Sequence, residues 1–91
     1  MLTVNHMPQT NLVKARARAK KLDVTVKPST SKYKKLDVFK DGIKVASIGD
    51  LRYSDYLQHG DAERRKRYKT RHQKNRIVKD SAGYYADRIL W

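Results

Sequence analysis

A surplus of thirteen positive charges on 91 residues sets the first limit on what this chain can fold into. Twenty-two Lys and Arg face nine Asp and Glu, so most cations lack an internal partner and belong at the surface. Self-repulsion of that size weakens a compact state, and a polyanion relieves it: nucleic acid, an acidic protein surface or an anionic membrane. Hydrophobic residues make up 38% and mean hydropathy is -0.89, so the core is modest. The length allows one domain, which either folds marginally alone or completes its core against a partner. Without cysteine there are neither disulfides nor thiolate metal sites. No apolar run approaches the roughly 18 residues of a membrane span. Met1 to Thr10 lacks the charged head and long apolar stretch of a secretory signal, so the expected compartment is intracellular, or a particle assembled there.

The charge is not spread evenly. Two basic blocks flank a nearly neutral middle, Asp41 to Gly60, and the C-terminal stretch is neutral and aromatic. That division suits a folded module with two basic surfaces rather than a disordered polycation. Residues 1–13 show no period and read as an extended arm. From Lys14 to Lys21, alanine alternates with Lys and Arg, which places alanine on no single helical face. Residues 1–21 are therefore expected to form a basic arm, either frayed and solvated or ordered on a polyanion, ahead of one domain over 22–91.

Leu22, Val24 and Val26 alternate with polar residues, as in a half-buried strand. Tyr33–Lys40 and Ile43–Ile48 flank Asp41-Gly42, the dipeptide favoured in a two-residue type I′ hairpin because both positions need positive φ. A simple register sets Val38 opposite Val45 and Leu36 opposite Ser47, with Phe39, Ala46 and Ile48 on the other face. Lys20-Lys21-Leu22-Asp23-Val24 recurs as Lys34-Lys35-Leu36-Asp37-Val38, which suggests two equivalent strands. Asp50 is a candidate cap for a short turn through Tyr53 and Tyr56. Asp61 is expected to cap a helix running to Ile77 or Val78. Ser81 is expected to cap a last helix with Ala82, Tyr85, Ala86, Ile89 and Leu90 as its apolar stripe. The fold class is α+β: a small antiparallel sheet, a hairpin with a third strand, followed by a basic helix and a short C-terminal amphipathic helix.

The densest functional signal is the Asp61–Arg76 helix. Arg64, Tyr68, Arg71 and Asn75 share one side, and Arg65, Tyr68 and His72 an adjacent stripe. Several Arg on a helix with a Tyr among them suit phosphate contacts, because the guanidinium fork makes bidentate bonds and the phenol can add another. The alternative is a solvated face steadied by Asp61–Arg65 and Glu63–Arg67 pairs, which would occupy two cations only. The candidate polyanion-binding residues are Lys14, Arg16, Arg18, Lys20, Lys21, Arg64, Arg65, Arg67, Tyr68, Lys69, Arg71, Lys74 and Arg76. Tyr84, Tyr85, Ile89, Leu90 and Trp91 are candidates for protein contact. His59, Asp61 and His72 offer metal-ligand chemistry, but His72 lies roughly 16 Å along a straight helix from the other two. His59 suits a backbone bond at the helix start better. No phosphate-cradling glycine loop, cysteine nucleophile or acidic cluster for magnesium is present. No catalytic residue, metal or cofactor is therefore assigned, and a metal-dependent nuclease is the weakest of three functional readings.

Gly49-Asp50-x-Arg52-Tyr53-x-Asp55-Tyr56, then His59-x-Asp61-x-x-Arg64-Arg65-x-Arg67-Tyr68-x-x-Arg71-His72-x-Lys74, then a helix ending Leu90-Trp91, resembles a family of small basic virus-encoded proteins of unknown function. That family belongs to large double-stranded DNA viruses and some phages, and the resemblance covers roughly residues 33–91. It implies a viral gene product and no catalytic residues. The expected function is thus a non-enzymatic virion protein, a minor capsid or capsid-associated component. Its basic surfaces would bridge acidic capsid protein or packaged genome, with oligomeric packing in the particle compatible. The alternative is a free, sequence-nonspecific DNA- or RNA-binding protein in the infected host.

Overall fold

The computed structural model describes residues 8–91. Positions 1–7, with His6 and the first part of the expected arm, lie outside the described residues. The elements run α1 (Gln9–Lys21), β1 (Thr25–Pro28), β2 (Lys34–Lys40), β3 (Ile43–Asp50), α2 (Tyr56–His59), α3 (Ala62–Arg71), α4 (Gln73–Arg76) and α5 (Ala82–Ile89). The strands form one antiparallel sheet in the order β1-β2-β3, and α1 and α5 pack on it and on each other. This is the expected α+β class.

Asp41 and Gly42 both have positive φ, 53° and 79°, as the two-residue turn demands. The register differs from the simple one. Lys40 pairs with Ile43 and Phe39 with Lys44, but Val38 then pairs with Ala46 and Leu36 with Ile48, across a bulge. The additional residue, Val45, is 40% exposed, whereas Leu36, Val38 and Ile48 are buried. A bulge realigns the two strands so that Ala46 and Ile48 join Leu36 and Val38 against the helices. Removing that apolar area from water outweighs the pairing lost at one position.

The basic arm is not an arm over Gln9–Lys21. It is a helix whose Leu12, Ala15 and Ala19 are buried, with Leu22 packed against the same core. The spacing 12, 15, 19, 22 is a helical face, which the alternation of Ala15, Ala17 and Ala19 with cations masks. Ala15 and Ala19, fully buried, let the helix approach the sheet closely, while Lys14, Arg16, Lys20 and Lys21 stay exposed. The five-residue repeat has no structural counterpart: its first copy ends α1 and turns through Asp23 at φ 62°, and its second is strand β2.

Asp37, buried in mid-strand, accepts hydrogen bonds from Ser29 Oγ (2.6 Å), Ser47 Oγ (2.7 Å) and the Thr30 N–H (3.3 Å). Burial works to raise its pKa, but the Ser29, Ser47 and Thr30 bonds and the Lys44 charge outweigh it, and the net shift is down. Tyr85, fully buried, donates to Asp80 at 2.6 Å, and burial with that bond pushes its pKa up to about 12.

Candidate functional site

The motif from Gly49 to His59 is built around a buried ion pair. Lys35 Nζ donates to Asp55 Oδ2 (2.8 Å), Gln58 Oε1 (2.7 Å) and the Tyr53 carbonyl (2.6 Å), and the two charged side chains are 6% and 3% exposed. Asp55, rather than Asp50, is the helix cap: it forms a reciprocal capping box with Gln58 at the start of α2. Asp50 instead accepts the Arg52 N–H at 2.9 Å and pairs with its guanidinium, which holds the Asp50 carboxyl well below the usual range. Gly49 sits where these pieces converge. Its φ is +81°, and a Cβ there would lie 2.8 Å from Leu90 Cδ1 and 3.0 Å from Lys35 Cβ.

Beyond α2, His59 Nδ1 accepts the Asp61 N–H at 2.8 Å, the backbone role suited to this position. Asp61 then caps α3 through the Glu63 and Arg64 N–H groups. The basic helix is shorter than its sequence suggests and breaks at His72. It has no buried residue and is held by rings, carbonyls and the Lys69–Asp87 ion pair instead. Tyr68 stacks on Trp91 at 4.1 Å between centroids and packs against His72 at 4.3 Å. His59 also packs against Trp91, at 5.3 Å. Arg65 lies over the Tyr56 ring at 4.7 Å and donates to the Trp91 carbonyl at 2.8 Å. Burial pushes the Tyr68 phenol up to about 12.

The candidate polyanion residues therefore divide into two groups. Arg18 donates to the Ile89 carbonyl and, with Arg65, places positive charge at the C-terminal end of α5, where the helix dipole favours it. Burial and the nearby Arg65 lower the Arg18 pKa. Lys69, Arg76 and Arg88 surround Asp87 at 2.7, 3.7 and 3.5 Å, a carboxylate only 4% exposed. Arg18, Arg65, Tyr68, Lys69 and Arg76 thus support the fold. Lys14, Arg16, Lys20, Lys21, Arg64, Arg67, Arg71 and Lys74 remain exposed. The Asp61–Arg65 and Glu63–Arg67 pairs do not form, because Asp61 is turned to its cap and Arg65 to Tyr56 and Trp91.

The protein-contact candidates change role as well. Tyr85, Ile89 and Leu90 are wholly buried in the chain's own core, since the α5 stripe packs on α1 and the sheet. Tyr84 is half-buried under Arg88 (3.8 Å), and Trp91 is half-buried in its ring stack.

Arg64, Arg67 and Arg71, together with Tyr68 and His72, form one wall of a cleft of about 940 Å³. The Gly49–Asp55 turn lies opposite, and Ala82, Gly83 and Ala86 contribute from α5. Gly83 lets α5 pack closely on the Asn75 segment, since a Cβ there would meet the Asn75 backbone oxygen at 3.0 Å. The carboxylates of the cleft, Asp50 and Asp55, have Arg52 and Lys35 as partners. Arg64, Arg67 and Arg71 form no ion pair among the described residues. No group of three His, Asp or Glu side chains that could hold a metal occurs among the described residues, and none of their helices is long and apolar enough to cross a membrane.

No curated protein and no solved structure matches this chain. Residues 24–72 match the model of a family of unknown function (DUF5754). The match takes in β1 as well as the hairpin and stops at His72, leaving α4, α5 and Trp91 outside. It spans the buried Lys35–Asp55 pair and all three arginines of the cleft wall, and on a match over more than half its length the chain belongs to that family.

Proposed function

We propose that this protein is a non-enzymatic structural component of a virion, a minor capsid or capsid-associated protein, that uses basic surfaces to bridge acidic capsid protein or packaged genome. The observation that carries the polyanion part is the row Arg64, Arg67 and Arg71 facing a cleft with no carboxylate partner among the described residues. An unbalanced row of cations along a cleft wall raises the local attraction for an anionic partner. The viral setting rests on the resemblance of the motif string from Gly49 to Lys74. The test is mass spectrometry of purified, nuclease-treated particles, in which peptides of this chain are expected at stoichiometric levels; their absence ends the virion reading.

A second reading, a free nucleic-acid-binding protein, is favoured by the exposed Lys14, Arg16, Lys20 and Lys21 on α1, a basic surface on a different element from the cleft wall. Binding to a labelled duplex across about 50 to 200 mM salt separates the two. A protein neutralising 6–10 phosphates loses about 10³–10⁵ in affinity over that range. A steep slope with micromolar or tighter binding at physiological salt puts nucleic acid first. Negligible binding there leaves an acidic protein surface as the target.

A further inference from the structure

We infer that the cleft between α3 and the Gly49–Asp55 turn is a docking groove for an extended acidic peptide segment of a protein partner, its carboxylates on Arg64, Arg67 and Arg71 and its aliphatic side chains on the apolar side of the cleft. The inference rests on the polyanion reading above and selects its partner.

Three features support a peptide over a nucleic-acid strand. The first is the mixture of surfaces. The arginine wall shares the cleft with Tyr53, Val78, Ala82, Ala86 and Trp91, and Tyr53 and Val78 are 65% and 56% exposed. A phosphodiester backbone offers nothing aliphatic to Val78 and the two alanines, whereas a peptide with alternating acidic and aliphatic residues matches both sides. The second is the state of the rings. Base binding needs open aromatic faces, but Trp91 and Tyr68 already stack on each other at 4.1 Å, with His59 and His72 as further ring neighbours, and the exposed Tyr53 ring carries the Arg52 guanidinium at 5.7 Å. The third is charge and size. Three guanidinium forks without ion-pair partners among the described residues suit carboxylates in bidentate geometry. At about 940 Å³ the cleft holds a segment several residues long. Arg64 and Arg71 are separated by about 10 Å of helix rise, the span of a few extended residues.

Trp91 is the single tryptophan of the chain and lines the cleft, so its emission reports occupancy. The experiment titrates the full chain with three fluorescein-labelled probes: a ten-residue peptide of alternating Glu and Leu, the same peptide with Ser for Leu, and an oligo-dT of equal charge. Anisotropy measures binding and Trp91 emission locates it. The Glu-Leu peptide is expected to bind saturably with a change in Trp91 emission, and more tightly than either other probe. Arg67→Glu and Arg71→Glu, both at exposed positions, are each expected to weaken it by about tenfold or more, one charge-assisted contact, with unchanged far-UV circular dichroism. Val78→Ser is expected to weaken the Glu-Leu peptide and leave the Glu-Ser peptide unaffected. If oligo-dT alone saturates with the Trp91 change, the groove is a nucleic-acid site: the peptide inference falls and the polyanion reading stands. The peptide inference falls equally if the anions bind with Trp91 and the Arg67 and Arg71 variants indifferent, since binding then lies outside the cleft. If no anion binds, both fall.

Discussion

Replacing Asp55 by Asn leaves a helix cap in place and removes a charge, and so isolates the electrostatics of the Lys35–Asp55 pair. Asn caps a helix about as well as Asp, so the capping box to Gln58 is retained in kind. The Lys35 ammonium, 6% exposed, keeps its bonds to the Tyr53 carbonyl and Gln58 Oε1 but loses the carboxylate beside it. Stranding one member of a buried pair costs about 3–5 kcal/mol, a large part of the roughly 5–15 kcal/mol that holds a domain together. Lys35→Met strands the Asp55 carboxylate instead and is expected to cost a similar amount. The double variant Lys35→Met/Asp55→Asn has no buried charge to strand, and although the Tyr53 carbonyl and Gln58 Oε1 lose the ammonium as donor, it is expected to cost well under the sum of the two single losses. Urea unfolding followed by Trp91 emission and far-UV circular dichroism gives all four free energies. A double variant as unstable as the two single losses added together would refute the reasoning, since it would mean that the charges act independently.

Three further outcomes follow from the same geometry. Gly49→Ala combines a left-handed backbone with a Cβ too close to Leu90 and Lys35 and is expected to cost about 2–4 kcal/mol; Gly60→Ala, at φ +63° with nothing within 4 Å, is expected to cost about 1–2 kcal/mol by its backbone alone, and equal losses in thermal melts would remove the close-contact argument. His59 has its pKa lowered by burial and by Arg64, so the unfolded chain takes up the proton first, and the stability from neutral His59 is present above its unfolded value of about 6.5 and lost as pH falls from there towards the lowered folded value. The urea midpoint is expected to drop on acidification through that window, less so in His59→Gln, and a midpoint that rises would contradict the assignment. Tyr68 and Tyr85 are pushed up to about 12, so a phenolate absorbance titration is expected to show two of the six tyrosines ionising well above the ordinary phenol value of about 10, and loss of part of that class in Trp91→Ala would assign it to Tyr68.

What could be read in the residues was mostly local. Asp41-Gly42 specified its turn, Ser81 and Asp61 specified their caps, and the α5 stripe named its own buried face. The hairpin register could not be read in that way, because Val45 and Ala46 are both apolar, strand propensity favours valine, and the choice of which faces inward is made by packing against helices that arrive from opposite ends of the chain. Helix α1 was concealed by its lysines and arginines, although Leu12, Ala15, Ala19 and Leu22 carried the signal. At the candidate site, the arginine side of α3 was legible as a stripe, but which cations face solvent was not. Arg18 and Arg65 bind the Ile89 and Trp91 carbonyls, and backbone acceptors leave no mark in a sequence. Asp87, which draws in Lys69, Arg76 and Arg88, looks on its own like any surface carboxylate of a helix.

The bulge beside Val38 has a consequence for the molecule among its own copies. β3 is a sheet edge carrying Ile43 and Val45 at 68% and 40% exposure, the kind of strand that recruits another strand and begins a fibre. The kink interrupts the regular row of donors and acceptors that such recruitment needs. On that account the edge is poorly matched to pairing with the same edge of another copy. Straightening the strand by deleting Val45 would exchange solubility for a tidier ladder.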